Sequence, residues 1–306
     1  MKEIVIPFFV GLSIFLFGMQ VMRVSLTNWV GDNLKSILLR FTNTPLRGFI
    51  TGTLITMVLQ SSSAITVLTI GFTNAGLLSF PQTIGIILGT NVGTTFTTQL
   101  ISLDIHDYIP WILFTGIALW LLPRHSLKCT GLALFGFGSI LVGIEGMQYI
   151  IQPLKQTGLF SNLISVAKEN SLIGISIGTL ITALIQSSTA TTAITMGFMN
   201  DQFIPLIVGI AIILGSNIGT CITALLACIG SNRASRQVAA SHIILNIFGV
   251  IFFYPLIPWL AEVVMILSVH PQSQIAHAQT LFNVISSLAI LPFAVPFARL
   301  IEKMIK

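Results

Sequence analysis

The chain has 306 residues, 54% of them hydrophobic and only 8% charged, with a mean hydropathy of +0.95. Soluble domains carry roughly a quarter charged residues, so this composition excludes a soluble globule and points to an integral membrane protein. The net charge of +5 is scattered through loops rather than clustered, which fits membrane topology and argues against a nucleic-acid partner.

The first apolar run, about 4–24, lacks an A-x-A-type cleavage site and reads as a span rather than a signal peptide. A run over 48–78 follows, interrupted by Gln60-Ser61-Ser62-Ser63. The next, 80–103, is interrupted by Gly89-Thr90-Asn91-Val92-Gly93-Thr94. Spans over 108–122 and 127–152 lead to a run over 172–198, interrupted by Gln186-Ser187-Ser188-Thr189. The run over 203–229 is interrupted by Gly215-Ser216-Asn217-Ile218-Gly219-Thr220, and two last spans cover about 238–260 and 278–300. The chain therefore reads as one membrane transport domain, 1–306, with a repeat at about 4–103, a linker span, a repeat at about 127–229 and two C-terminal spans. Cys129, Cys221 and Cys228 form neither a CxxC pair nor a disulfide framework, and read as small buried residues.

The interruptions recur at one offset. Gly52-Thr53-Leu54-Ile55-Thr56 meets Gly178-Thr179-Leu180-Ile181-Thr182 at a shift of 126. Gln60-Ser61-Ser62-Ser63-Ala64 meets Gln186-Ser187-Ser188-Thr189-Ala190 at the same shift, Asn74 meets Asn200, and GTNVGT meets GSNIGT. Chance does not produce two polar motifs at one spacing twice, and the period is far too long for a solenoid, so the chain is an internal duplication.

The arm before the first QSS motif, 48–59, reaches only ~18 Å as helix, roughly halfway across a hydrocarbon core about 30 Å thick. A bare break there would leave backbone groups unsatisfied in lipid, so both QSS segments read as re-entrant hairpins buried in protein or lining a wet cavity. With that topology Arg23, Lys35, Arg40, Arg47, Arg124, Lys128, Arg233, Arg236, Arg299, Lys303 and Lys306 share one side. Only Lys2, Lys155 and Lys168 lie on the other. The basic side is cytoplasmic, which puts the N-terminus outside, the C-terminus inside the cell and the protein in the cell membrane. The second repeat is then inverted relative to the first, an architecture of secondary transporters. The fold class expected is an all-α integral membrane protein with two inverted-topology repeats, each with a re-entrant QSS hairpin and a broken transmembrane helix.

Two hairpin tips entering from opposite sides meet near mid-membrane, and breaks at GTN and GSN bring further half-helix ends to that depth. Helix N-termini suit an anion, whereas unwound carbonyls and hydroxyls suit a hard cation such as Na⁺. The expected substrate and sodium site is Gln60, Ser61, Ser62, Ser63, Thr90, Asn91 and Thr94 with Gln186, Ser187, Ser188, Thr189, Ser216, Asn217 and Thr220. Small polar residues in membrane helices often serve only close packing; two matched motifs at one offset favour a site. No Lys or Arg lies within the four interrupted runs, so an anion's charge is expected to be balanced by co-bound cations and helix ends. Glu145 is read as the one carboxylate deep inside a span, a functional candidate by its depth. The chain has no HExxH, G-x-S-x-G or P-loop, and an enzyme is not expected.

On QSSSA at 60–64 with GTNVGTT at 89–95, and QSSTA at 186–190 with GSNIGT at 215–220, the chain resembles the type II sodium–phosphate cotransporter family. The resemblance covers both repeats and implies Na⁺-driven movement of inorganic phosphate, with the QSS hairpins forming the phosphate and sodium sites and no cofactor beyond Na⁺ as coupling ion. It also implies that this chain, ending at Lys306, is a bacterial member without the PhoU-like domain many relatives carry. "SRQVAASHIILNIFG" and "AHAQTLFNV" resemble later family stretches, with His242 four residues before Asn246 and Gln279 four before Asn283. The family pattern usually has histidine where this chain has Gln279, which sets that position apart. The alternatives to a phosphate symporter are a Na⁺-coupled carrier of another anion, such as a dicarboxylate, and a passive anion channel.

Overall fold

The computed structural model describes residues 2–31, 33–155, 158–200 and 203–305. Lys306 lies outside the described residues, as do the side chains of Lys2, Lys155 and Asn200. Every regular element among the described residues is a helix.

Helix α1 (Lys2–Val30) runs beyond the expected span and is followed by α2 (Asn33–Arg40). The first QSS segment is α3 (Pro45–Leu59) and α4 (Ser62–Asn74), separated only by Gln60 and Ser61; α5 (Phe80–Ile101) follows. Thr44 caps α3 by accepting from the Arg47 amide at 3.3 Å, and Pro45 occupies its first turn, where no N–H is needed. α6 (Ile109–Trp120) and α7 (His125–Gln148) pack against each other, and α7 packs along α1. After the short α8 (Ile151–Lys155) and α9 (Gly158–Glu169), the second QSS segment is α10 (Ser171–Ile185) and α11 (Ser188–Asn200). Then come α12 (Leu206–Gly219) and α13 (Cys221–Ala227), which form one continuous rod. The chain closes with α14 (Arg233–Phe253), α15 (Ile257–Leu267), α16 (Pro271–Ile290) and α17 (Ala294–Met304).

The duplication is visible in the helix boundaries. Adding 126 to the bounds of α3 and α4 gives the bounds of α10 and α11. Adding 126 to the bounds of α5 gives the start of α12 and the end of α13. In each half the arm before QSS packs along the helix after it, α3 on α5 and α10 on α12.

Two expectations are corrected here. The 80–103 run is not broken at GTNVGT: α5 passes through Gly89 to Thr94 without interruption. The second run is notched only at Thr220, whose φ of −60° and ψ of −25° remain helical. The hydroxyls turn back onto their own helix, Thr90 to the Ile87 carbonyl and Thr94 to the Thr90 carbonyl, both at 2.8 Å, and so do not pull the backbone open. The glycines serve contact instead of unwinding. A Cβ on Gly89 would run into the Phe49 carbonyl of α3, and one on Gly215 into the Ile175 carbonyl of α10. The 108–122 span is also shorter than expected: α6 has 12 residues, ~18 Å, with Trp111 and Phe114 on its exposed face.

Among the described residues five stretches are long and apolar enough to cross a membrane: Val5–Val30, His125–Gln148, Leu206–Ala227, Arg233–Leu267 and Pro271–Met304. The last two are helix pairs joined by single 3₁₀ turns, at Tyr254–Leu256 and Leu291–Phe293, where Pro255 and Pro292 remove a backbone donor. α14 and α16 pack on both α5 and α12, and meet each other through an edge-to-face contact of Phe253 and Phe282 with ring centroids 5.2 Å apart. They bring the C-terminal part of the chain to the place where the two halves converge.

Candidate functional site

Each QSS motif builds the same local structure. Gln60 ends α3 in the left-handed region, φ 56° and ψ 31°, and Gln186 ends α10 at φ 57° and ψ 30°. They are the two non-glycine residues with positive φ among the described residues, and such a conformation at a bulky side chain marks a site worth attention. The serine that follows caps the next helix. Ser61 Oγ accepts from the Ala64 amide and Ser187 Oγ from the Ala190 amide, both at 3.2 Å. The first-turn N–H groups of α4 and α11 are left without intrahelical acceptors, and both helices carry their positive end at the tip.

Three connected spaces join the tips. The widest is a vestibule of about 850 Å³ walled by α1, both QSS motifs and the end of α13. It narrows, past Arg23, Ser61, Ser63, Gln186 and Ser187, into a pocket of about 20 Å³. That pocket is lined by Gln60, Ser61, Ser62 and Ser63 from one tip and Gln186, Ser187, Ser188 and Thr189 from the other, with Thr94 and Thr97. Beyond Ser62, Thr94 and Ser188 lies a cage of about 10 Å³, whose other walls are Asn91, Asn217, Thr220, Asn246, Gln279 and Asn283. Among the expected site residues, Thr90 and Ser216 do not reach these spaces. Both are fully buried, and their hydroxyls bond to the Ile87 and Ile213 carbonyls at 2.8 and 2.7 Å.

The sequence reading missed Arg23. It enters that reading only as one of the basic residues marking the cytoplasmic side, but it projects from α1 into the wall shared by vestibule and pocket. Its Nε is buried and has no hydrogen-bond partner among the described residues. The one ion pair among the described residues lies elsewhere, between His106 Nδ1 and Glu145 Oε1 at 2.9 Å. A guanidinium therefore stands beside the two serine tips without a carboxylate to neutralise it. The signal available in the sequence was its position inside a long apolar run, 37 residues ahead of the motif it reaches.

The same ion pair corrects the reading of Glu145. Its side chain is 42% exposed and bound to His106, so it is not an isolated acid at depth. His242 is buried, and its Nδ1 has no partner among the described residues. Its carbonyl accepts from Asn246 Nδ2 at 2.9 Å, which orients that amide toward the cage. Cys129 and Cys221 are buried, as expected, while Cys228 is partly exposed.

A family profile described as Na⁺/Pi-cotransporter matches residues 14–149 and 151–295. The chain is 38% identical over 303 residues to YqeW of Bacillus subtilis (strain 168), covering 99% of this chain and 98% of that one; its name carries no activity. It is 25% identical over 297 residues to YjbB of Escherichia coli O157:H7, whose name refers to inorganic phosphate export; that match covers 97% of this chain and 55% of YjbB. A 64-residue stretch, 21% of this chain, is 42% identical to 9% of the human sodium-dependent phosphate transport protein 2B. No solved structure matches. With the membrane-spanning helices and the duplicated QSS site, these matches identify a multi-pass membrane protein and a transporter rather than an enzyme: the chain belongs to the Na⁺/Pi-cotransporter family.

Proposed function

We propose that this protein is a sodium-coupled secondary transporter of inorganic phosphate that works by alternating access. The observation that carries the reading is the pocket at the vestibule floor, where two helix N-termini, their serine hydroxyls and Arg23 converge. Phosphate is a compact oxyanion with acceptors on every side. Serine and threonine hydroxyls and free N–H groups donate to it, and a guanidinium fork can take two of its oxygens at once. Gln60, Ser61, Ser62, Ser63, Gln186, Ser187, Ser188 and Thr189 are the residues we assign to substrate, with Na⁺ held close beside it. Arg23 supplies the full positive charge that the QSS segments themselves lack.

In this reading the QSS segments are re-entrant, and the two repeats are inverted in the membrane. Arg23 and the end of α13, which wall the vestibule, then belong to the cytoplasmic side, and the vestibule is the inward-facing opening. Rocking one repeat against the other would expose the same pocket outward. The N-terminus is outside and the C-terminus cytoplasmic. Cysteines placed at Asn43 and Asn170 should react from the cytoplasm and from outside respectively; labelling from one common side overturns the inversion.

A symporter runs in either direction according to its gradients, so a relative named for export is compatible with coupling. The deciding experiment is radiolabelled phosphate uptake into proteoliposomes under an inward Na⁺ gradient against an equal K⁺ gradient. Uptake with Na⁺ alone, competed by arsenate but not by succinate, is the expected result. Equal uptake in both gradients means a channel or uniporter. Competition by succinate means a dicarboxylate carrier. Replacing Arg23→Gln removes a charge-assisted contact and should raise the phosphate KM by roughly 10–100-fold.

A further inference from the structure

We propose that the innermost cage is the binding site of the coupling sodium ion, and that α14 and α16 complete it with Asn246, Gln279 and Asn283. The inference rests on the sodium-coupled reading above and assigns the ion to particular side chains, three of them outside the duplicated halves.

Three of the cage amides are oriented by their own helices. Asn217 Nδ2 donates to the Ile213 carbonyl at 2.8 Å. Asn246 Nδ2 donates to the His242 carbonyl and Asn283 Nδ2 to the Gln279 carbonyl, both at 2.9 Å. Each amide spends its N–H₂ on its own helix, one turn back. The oxygens of Asn217 and Asn283 are left to serve the cage, while that of Asn246 accepts from Asn91 Nδ2 at 3.4 Å. The hydroxyls behave alike: Thr94 donates to the Thr90 carbonyl at 2.8 Å and Thr220 to the Ser216 carbonyl at 3.1 Å. Their lone pairs remain. Five of the nine lining residues thus commit their donors to their own helices and leave oxygen lone pairs, and a neutral, oxygen-rich lining of this kind suits a cation.

The second observation is independent. Gln279 is 1% exposed and lines the cage, and its Oε1 is buried with no hydrogen-bond partner among the described residues. A buried carbonyl oxygen without a donor is costly unless a ligand satisfies it. The lining then selects the kind of ion. No acid, histidine or cysteine is among the cage residues, which disfavours divalent and transition metals and leaves a hard monovalent cation bound by neutral oxygens. The volume, about 10 Å³, is room for one small ion.

The position explains coupling. Ser62, Thr94 and Ser188 line both the cage and the phosphate pocket, so the two ligands are separated by a single layer of hydroxyls. Opposite charges that close, in a site removed from bulk water, attract strongly, and each raises the other's affinity by the same factor.

The test is an Na⁺ titration of the purified protein without phosphate, reading thermal stability, with choline holding ionic strength constant and K⁺ as the control ion. The wild type should show a saturable shift specific to Na⁺. Gln279→Leu and Asn283→Leu should weaken the Na⁺ midpoint about tenfold or more, while a phosphate-induced shift shows that the variants are folded. Gln279→Glu keeps the shape and should bind Na⁺ more tightly as pH rises. An Na⁺ midpoint unchanged in both leucine variants overturns the assignment, as does a wild type that does not distinguish Na⁺ from K⁺. Because phosphate is absent from the titration, a wild type that binds Na⁺ through Gln279 but carries no phosphate sinks only the transport reading. Na⁺-driven phosphate uptake with unaltered Na⁺ dependence in Gln279→Leu sinks only the cage.

Discussion

The two QSS tips share a backbone to within a degree in φ and differ in what holds them. In the first, the Gln60 amide is engaged twice: its Oε1 accepts from Thr97 Oγ1 and its Nε2 donates to the Met57 carbonyl. In the second, Gln186 is exposed to the vestibule, and the equivalent threonine, Thr223, donates to the Thr220 carbonyl instead, at 2.9 Å. The break there is clipped by Thr182 Oγ1, which donates to Thr191 Oγ1 at 2.7 Å and links α10 to α11. The first repeat has Ile65 in place of Thr191, and Thr56 Oγ1, the counterpart of Thr182, is buried without a partner among the described residues. A duplicated backbone has thus been pinned by two different sets of side chains. The first tip's glutamine is fastened to the helix after it and the second's is not, the second arm reaching that helix only further back, through Thr179 Oγ1 to the Gly215 carbonyl at 3.0 Å, which makes the second tip the better placed to move.

The largest effects should fall on what the two halves have in common. Gly89→Ala and Gly215→Ala each drive a methyl group into the facing helix's carbonyl, and each should cost about 3 kcal/mol or more of stability, read as lost folded protein in detergent. A benign result at one position only would mean that the halves do not pack alike. Next come Ser62→Ala and Ser188→Ala. Both serines line pocket and cage, so each change should lower phosphate transport by roughly 10–100-fold with the protein still folded in the membrane. Near-normal uptake by both variants would remove the tips from the site.

The glutamines should then separate the two repeats. Gln60→Ala strands the Thr97 hydroxyl and should destabilise by about 1–3 kcal/mol, whereas Gln186→Ala should stay within about 0.5 kcal/mol and weaken phosphate affinity instead. Equal losses of stability would contradict the looser second tip. The smallest contrast is between threonines. Thr182→Val breaks the clip and should cost about 1 kcal/mol, while Thr56→Val removes a hydroxyl without a partner among the described residues and should be neutral or mildly stabilising by thermal melting.

Much of this was legible in the sequence because duplication writes everything twice. A polar phrase in an apolar run is ambiguous once and informative at a fixed offset, and twelve of the fourteen expected residues do line the connected spaces. The failures have a common physical cause. Glycine in a membrane helix signals either unwinding or close contact, and only the facing carbonyls of Phe49 and Ile175 decide between them. Thr90 and Ser216 fall on the motif but point along their own helix, a direction that spacing alone does not carry. Arg23 comes from a helix outside the motifs, and no local pattern announces which distant helix will close a site. Asn246, Gln279 and Asn283 stand in stretches that resemble the family, but their shared cage exists only through the packing of α14 and α16 on α5 and α12.

The neutrality of the cage bears on bioenergetics. A proton competes with a metal ion by occupying a base, and none of the residues lining this cage offers an acid or imidazole for it to titrate. If the cage holds the coupling ion as proposed, acidifying the medium would alter the ionic form of the cargo without evicting that ion. On the proposed assignment of the cage, a carrier built on amide oxygens would be committed to one currency, the sodium potential, and a cell whose proton gradient collapses would still have it to draw on.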